Sequence, residues 1–225
     1  MNDEKNLIDR IIYDSFLVSK EAKRTELIPK SPNPLTLSKW YAEEIKWANS
    51  QIDFVEKKND AICTCTKGCH ACCRQVIMIS SAEILAIKPY LAGLTREQRK
   101  ALFSKTSEIC KKLKENGIDD SNILYLGEEA CINIQKRYFD LNIECPLLDK
   151  TGACSIYPVR PSLCWSYRNY GDPKECDKSY SVETTIKYED WEKIIFDRLL
   201  IVKKPSRKGM GMLPNALLEL LKEMI

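Results

Sequence analysis

The chain has 225 residues, 44% hydrophobic and 30% charged, with 35 Lys and Arg against 32 Asp and Glu. That length and balance suit a soluble protein with a real core and exclude a low-complexity or disordered chain. A formal charge of +3, with the basic residues spread along helical stretches, reads as a solvated face and gives no strong nucleic-acid signal.

The segment from Met1 to Asn6 carries charges of both signs and has none of the parts of a signal peptide. No apolar run approaches the ~20 residues of a membrane span. The expected location is the cytoplasm, away from membranes, where thiols stay reduced.

The periodicity of Leu7, Ile8, Ile11, Ile12, Phe16 and Leu17 predicts a first helix over residues 3–20. Pro29, Pro32 and Pro34 break the chain. A second helix is expected from Thr36 or Ser38 to Lys58, with Trp40, Tyr41, Ile45, Ile52 and Val55 on its apolar face. After a cysteine-rich run, Gln75 to Ile79 reads as extended. Ser80 and Glu83 form a capping box that opens a helix to Leu91. Thr95 and Gln98 form a second, for a helix ending at Asn116 and Gly117. A further helix is expected from Gly127 to Asp140. Cys145 to Tyr157 reads as two short strands about a Lys150-Thr-Gly turn. Helices over 187–203 and 213–225 close the chain.

Eleven cysteines are too many to leave unexplained, and an odd number fits poorly with a fully paired disulfide framework. Five of them fall within residues 63–73, around Gly68, which supplies the positive φ that a tight ligand loop often needs. Cys65, Cys69 and Cys72 have the short spacing of a ligand loop, and Cys145, Cys154 and Cys164 are its distant partners. Cys73 adjoins Cys72. In an extended backbone the two side chains would point to opposite sides and serve different metal atoms. These seven cysteines, with Cys63 or Cys176 as an eighth, exceed one tetrahedral site. Two sites or one multi-metal cluster are therefore expected. Cys110 and Cys131, among Leu, Ile and Ala, read as small buried hydrophobes.

The pattern Cys65-x3-Cys69-x2-Cys72-Cys73, then Cys145-Pro-Leu-Leu-Asp, then Cys154-Ser-Ile-Tyr-Pro-Val-Arg-Pro-Ser-Leu-Cys164 resembles the YkgJ-type cysteine cluster family. That family is described as a zinc- or iron-chelating CxxCxxCC domain. The resemblance covers about residues 63–170, with x3 in place of the leading x2, which leaves Cys63 and Cys65 as alternatives for the first ligand. It implies bound zinc or iron ions or an iron–sulfur cluster. The cluster region of flagellin lysine-N-methylases is related, which opens a second reading: an enzyme using an iron–sulfur centre with S-adenosylmethionine, or in a redox step. Those proteins are longer, and no Gly-rich nucleoside-binding motif is visible here. A metal carrier or sensor is a third reading. The spacing also matches the radical S-adenosylmethionine motif, but Ala71 stands where that superfamily has an aromatic residue, and the βα repeats of its barrel are missing.

His70, the only histidine, is a possible ligand or a neighbour of the ligands. Its solitude argues against the usual hydrolytic triads. Lys67, Arg74, Arg160 and Arg168 flank the cysteines and would offset thiolate charge. Arg160 and Tyr157 are expected just outside the ligand shell, with Tyr157 and Trp165 covering the centre. Glu83 is explained by its capping box. The expected architecture is mainly α: a helical domain with a small β-hairpin and two irregular cysteine-rich loops, 63–75 and 145–176, converging on a metal site. Its divisions are a helical extension (1–60), the cysteine-cluster domain (61–180) and C-terminal helices (181–225). Partners are not legible.

Overall fold

The computed structural model describes residues 2–66, 68–118, 127–202 and 210–225. The protein is mainly helical. In chain order it comprises α1 (Asn2–Glu21), α2 (Pro34–Lys58), a 3-10 turn (Ala71–Arg74), β1 (Met78–Ser80), α3 (Ser81–Ala92), α4 (Arg96–Glu115) and α5 (Glu128–Asp140). There follow a 3-10 turn (Tyr157–Val159), α6 (Ser162–Trp165), β2 (Tyr167–Asn169), α7 (Glu175–Lys178), β3 (Thr185–Lys187), α8 (Glu189–Val202), β4 (Met210–Met212) and α9 (Leu213–Lys222). Lys203, the expected end of α8, lies outside the described residues.

α2 forms the spine. It starts earlier than expected because Pro34 fits the first turn, where a missing N–H is harmless, and Asn33 Oδ1 caps it by accepting the Thr36 N–H at 2.9 Å. Its buried face holds Leu37, Trp40, Tyr41, Ile45, Ala48, Ile52 and Val55, and also the fully enclosed Glu44. A carboxylate there needs paired charge. Arg198 supplies it at 2.6 and 3.2 Å, and Arg24 at 3.1 Å.

α3 and α4 start at the two capping boxes, with all four reciprocal bonds formed. α4 ends at Asn116, and Gly117 turns the chain with φ +65°. α1 buries Ile8 and Ile11 but leaves Ile12, Phe16 and Leu17 of its apolar stripe exposed. Trp191 of α8 donates its indole N–H to Ser15 Oγ at 2.9 Å, tying the last third of the chain to the first helix.

One buried cluster joins Ile11, Tyr41, Ile52, Ile87, Trp165, Trp191 and Leu217, so residues from α1, α2, α3, α6, α8 and α9 share one core. Cys145 and Cys154 pack against its edge. A smaller cluster, with Leu113, Ile118, Tyr138, Ile143 and Met212, lies under α4 and α5.

The strands differ from expectation. β1 begins at Met78 and pairs antiparallel with β4, Met78 opposite Met212, and β2 pairs with β3, Arg168 opposite Ile186. The hairpin expected across Cys145 to Tyr157 reduces to one bridge between Leu148 and Cys154. Its turn is closed by Asp149, whose Oδ1 accepts the Thr151 N–H, the Thr151 hydroxyl and the Ala153 N–H at 2.7, 2.7 and 3.1 Å. A side chain that takes the turn's donors leaves few for a ladder. Among the described residues, no helix is long and apolar enough to cross a membrane.

Candidate metal centre

The cysteine-bearing segments meet through backbone bonds between residues far apart in sequence. The Cys145 N–H donates to the Cys73 carbonyl at 2.9 Å. The Thr64 N–H donates to the Asn169 carbonyl at 2.9 Å, while the Asn169 N–H donates to Cys65 Sγ at 3.3 Å. The 162–165 turn is held from below by Glu83, whose Oε1 accepts the Ser162 N–H at 2.8 Å and its hydroxyl at 2.7 Å.

Between these segments lies a cavity of about 1100 Å³. Its walls carry Cys63, Cys65, Cys69, Cys72, Cys73, Cys145, Cys154 and Cys164. Arg160, Tyr157 and Trp165 line it as well. The seven expected ligands and Cys63 are thus brought to one space. His70, Cys176, Cys110 and Cys131 are not on its wall.

Burial, and after it the charge of neighbouring thiols, opposes ionisation at Cys145, Cys154 and Cys164. Burial pushes Cys145 up to about 12, and raises Cys154. Burial, then the charges of Cys145, Cys72 and Cys154, raise Cys164 well above the usual thiol range. Cys72 is raised first by its hydrogen bond to Cys73 and then by burial. The bond between Cys63 and Cys65 holds Cys63 up and brings Cys65 down, and the Asn169 N–H favours the Cys65 thiolate further. Arg160 acts against the upward shifts at Cys72, Cys154 and Cys164. Several thiolates can therefore coexist here only around a cation.

The sign of the pH effect follows for the metal-free protein. Cys145 has an ordinary value of 9.0 and a folded value of about 12, so the folded state keeps a proton that the unfolded state loses. Its contribution to stability is complete below about pH 9 and lost as pH rises toward 12. Chemical denaturation of chelator-treated protein is expected to show a midpoint falling across that window. A flat profile would contradict a buried, protonated Cys145.

Eight thiols on one cavity are the donor chemistry that zinc, iron and iron–sulfur clusters take. Among the described residues, no three Cys, His, Asp or Glu side chains already stand around a single point as ligands to one ion. The sulfurs line walls, in number more than the four that one tetrahedral ion accepts.

The family model CxxCxxCC, whose description is "Putative zinc- or iron-chelating domain", matches residues 64–192, more than half of the chain. The chain belongs to the CxxCxxCC family. No curated protein and no solved structure matches it. The CxxCxxCC match supports metal binding, and it runs past residue 170 to take in the β2–β3 pair and the start of α8. Tyr167 and Arg168 of β2 and Thr185 and Lys187 of β3 line the cavity, and Asn169, at the end of β2, binds both Thr64 and Cys65.

Several expectations within the CxxCxxCC region need correction. Cys72 and Cys73 are in a 3-10 turn, not an extended strand, so the backbone that would send their side chains to opposite sides is not formed. Arg168 does not offset thiolate charge. Its guanidinium binds Glu56 at 2.7 Å and Asp53 and Asn49 at 2.8 Å each, so it is neutralised by carboxylates of α2. Arg74 likewise binds Asn142 and Asp177 and covers the Phe139 ring. Lys67 lies outside the described residues.

His70 is at the outer edge, its side chain 46% exposed and its Nδ1 3.1 Å from the Gly68 carbonyl. It covers the Gly152 turn, where φ is +78° and a Cβ would stand 3.0 Å from Nδ1. Cys176, on α7, packs beside the Ala71–Arg74 turn and is pushed up to about 11 by burial and by Cys72 and Cys69. Cys110 and Cys131 are half-buried in α4 and α5. Gly68 has the expected positive φ, +91°. Nothing in the sequence marks Asn169 as part of the site or Ser162 as a partner of Glu83. Neither contact leaves a local signal, because each joins residues at least 79 positions apart.

Proposed function

We propose that the chain holds a multi-metal thiolate centre of the iron–sulfur kind, with Cys65, Cys69, Cys72, Cys73, Cys145, Cys154 and Cys164 as the ligand pool and Cys63 beside them. One observation carries the reading: a single cavity of about 1100 Å³ with eight thiols on its wall. A lone tetrahedral zinc would need four sulfurs drawn in to about 2.3 Å from one point. A core containing inorganic sulfide spans a wider space and still takes thiolates from several directions. Such a centre would supply electron transfer or a cross-link between loops where its coordination is closed, and substrate chemistry where a position is open.

The surrounding residues have their own parts. Burial by Trp165 and by the core edge lowers the local dielectric, which strengthens every charge interaction at the sulfurs. Tyr157, 52% exposed, stands at the cavity wall toward water. Glu83 and Tyr41 fix the segment that carries Arg160 and Cys164.

The test is purification without oxygen, followed by iron, zinc and acid-labile sulfide determination with a visible spectrum. Iron and sulfide in similar amounts with broad visible absorption is the expected result. A colourless protein with two zinc ions would replace the cluster with a zinc pair on the same thiols. Protein that takes up neither metal overturns the reading.

A further inference from the structure

Arg160 has a donor that the protein itself does not use. Its Nε is buried and has no hydrogen-bond partner, although buried side-chain nitrogens nearly always have one. The guanidinium carbon lies 4.1 Å from the centroid of the Tyr157 ring, so one face of the group is occupied by stacking. The N–H donors lie in the plane of the group, directed away from that face. The same side chain lines the cavity with the eight thiols.

Its mounting is rigid. Arg160 sits between Cys154 and Cys164 in sequence, at the end of the Tyr157–Val159 turn. Its carbonyl accepts the Tyr41 hydroxyl at 3.4 Å, and Ser162, two residues on, is clamped by Glu83. Pro161 fixes the peptide between them. A lysine here would supply charge, but only an arginine presents a planar fork whose inner N–H can be aimed while its face stays stacked.

We propose that Arg160 donates its Nε–H to a ligand sulfur of the metal centre and so sets how tightly the centre is held. The inference rests on the thiolate-centre reading above. It accounts for the orphaned donor, for the stacked orientation, and for the position of a cation among thiols that otherwise repel one another's charge. Outer partners of this kind typically change metal affinity by roughly 10–100-fold.

The experiment titrates chelator-treated protein with Zn²⁺ against a chromophoric competitor, under anaerobic conditions, for wild type, Arg160→Gln, Arg160→Lys and Tyr157→Leu. Thermal unfolding of the four metal-free proteins is recorded alongside. Arg160→Gln is expected to weaken zinc binding by roughly 10–100-fold with its metal-free Tm unchanged. Arg160→Lys recovers part of that loss through its charge, and Tyr157→Leu, which removes the ring that orients the guanidinium, shows a smaller loss in the same direction. Wild-type affinity in Arg160→Gln overturns the inference, as does a loss matched by a fall in metal-free Tm, which marks a purely structural arginine. Wild-type protein that takes up no zinc in the titration and holds neither iron nor zinc as purified overturns the thiolate-centre reading itself, a result distinct from the other two.

Discussion

Replacing Glu83 by alanine is expected to destabilise the metal-free protein by about 4 kcal/mol, a fall in Tm of roughly 8–16 °C for a chain of this size. The side chain is buried, and its two oxygens accept five hydrogen bonds. Oε2 takes the Ser80 N–H and hydroxyl at 2.8 and 2.7 Å, the capping-box half. Oε1 takes the Ser162 N–H and hydroxyl at 2.8 and 2.7 Å and the Tyr41 hydroxyl at 3.1 Å. Alanine leaves the Ser80 and Ser162 amides and hydroxyls without these acceptors and the Tyr41 phenol with only its longer contact to the Arg160 carbonyl, at about 1–3 kcal/mol for each group that water cannot reach. An ordinary cap costs only about 1 kcal/mol, so the size of the loss separates the two roles. Because Ser162 precedes Cys164 by two residues, the variant is also expected to lose metal affinity. A Tm within about 3 °C of wild type would show a cap and nothing more.

The helices were legible because their signals are local. Ser80 with Glu83, and Thr95 with Gln98, mark starts by hydrogen bonds spanning three residues. Thr36 and Ser38 resemble the start of α2, but Asn33 caps it, in keeping with Pro34 at the first helical position. The convergence of the two cysteine loops was also legible, since thiol density demanded a shared centre. The details of their meeting were not. The Cys72–Cys73 pair reads as extended only if the backbone is assumed extended, and the bond from the Cys73 N–H to the His70 carbonyl winds it instead into a 3-10 turn. Arg168 reads as a cation for thiolates until α2 is seen to present Asp53 and Glu56 to it from 112 or more residues away. β1 and β4 have three residues each and pair across 130 positions, so neither could announce the other.

Cys164→Ser and Cys72→Ser are each expected to strip most of the metal while leaving the helices intact. Loss of a ligand thiolate should cost at least the roughly 10–100-fold in affinity that outer partners cost. The helices persist because they rest on the main core, most of which comes from apolar side chains of α1, α2, α3, α8 and α9. The 63–75 segment has least to rely on, a 3-10 turn and a handful of cross-chain bonds such as Cys145 to Cys73, while the 145–164 segment adds Leu147, Ile156 and Val159 in the core to one bridge and one short turn. For them, metal-binding free energy is folding free energy. Far-UV circular dichroism should therefore change little, while amide exchange across residues 63–75 and 145–164 should accelerate, as it should when wild type is treated with a chelator. Cys131→Ser, on α5 and off the cavity wall, serves as the control and is expected to keep its metal. Full metal content in both Cys164→Ser and Cys72→Ser would remove these two thiols from the ligand pool. Collapse of the helices along with the metal would mean that the centre, rather than the apolar core, organises the fold.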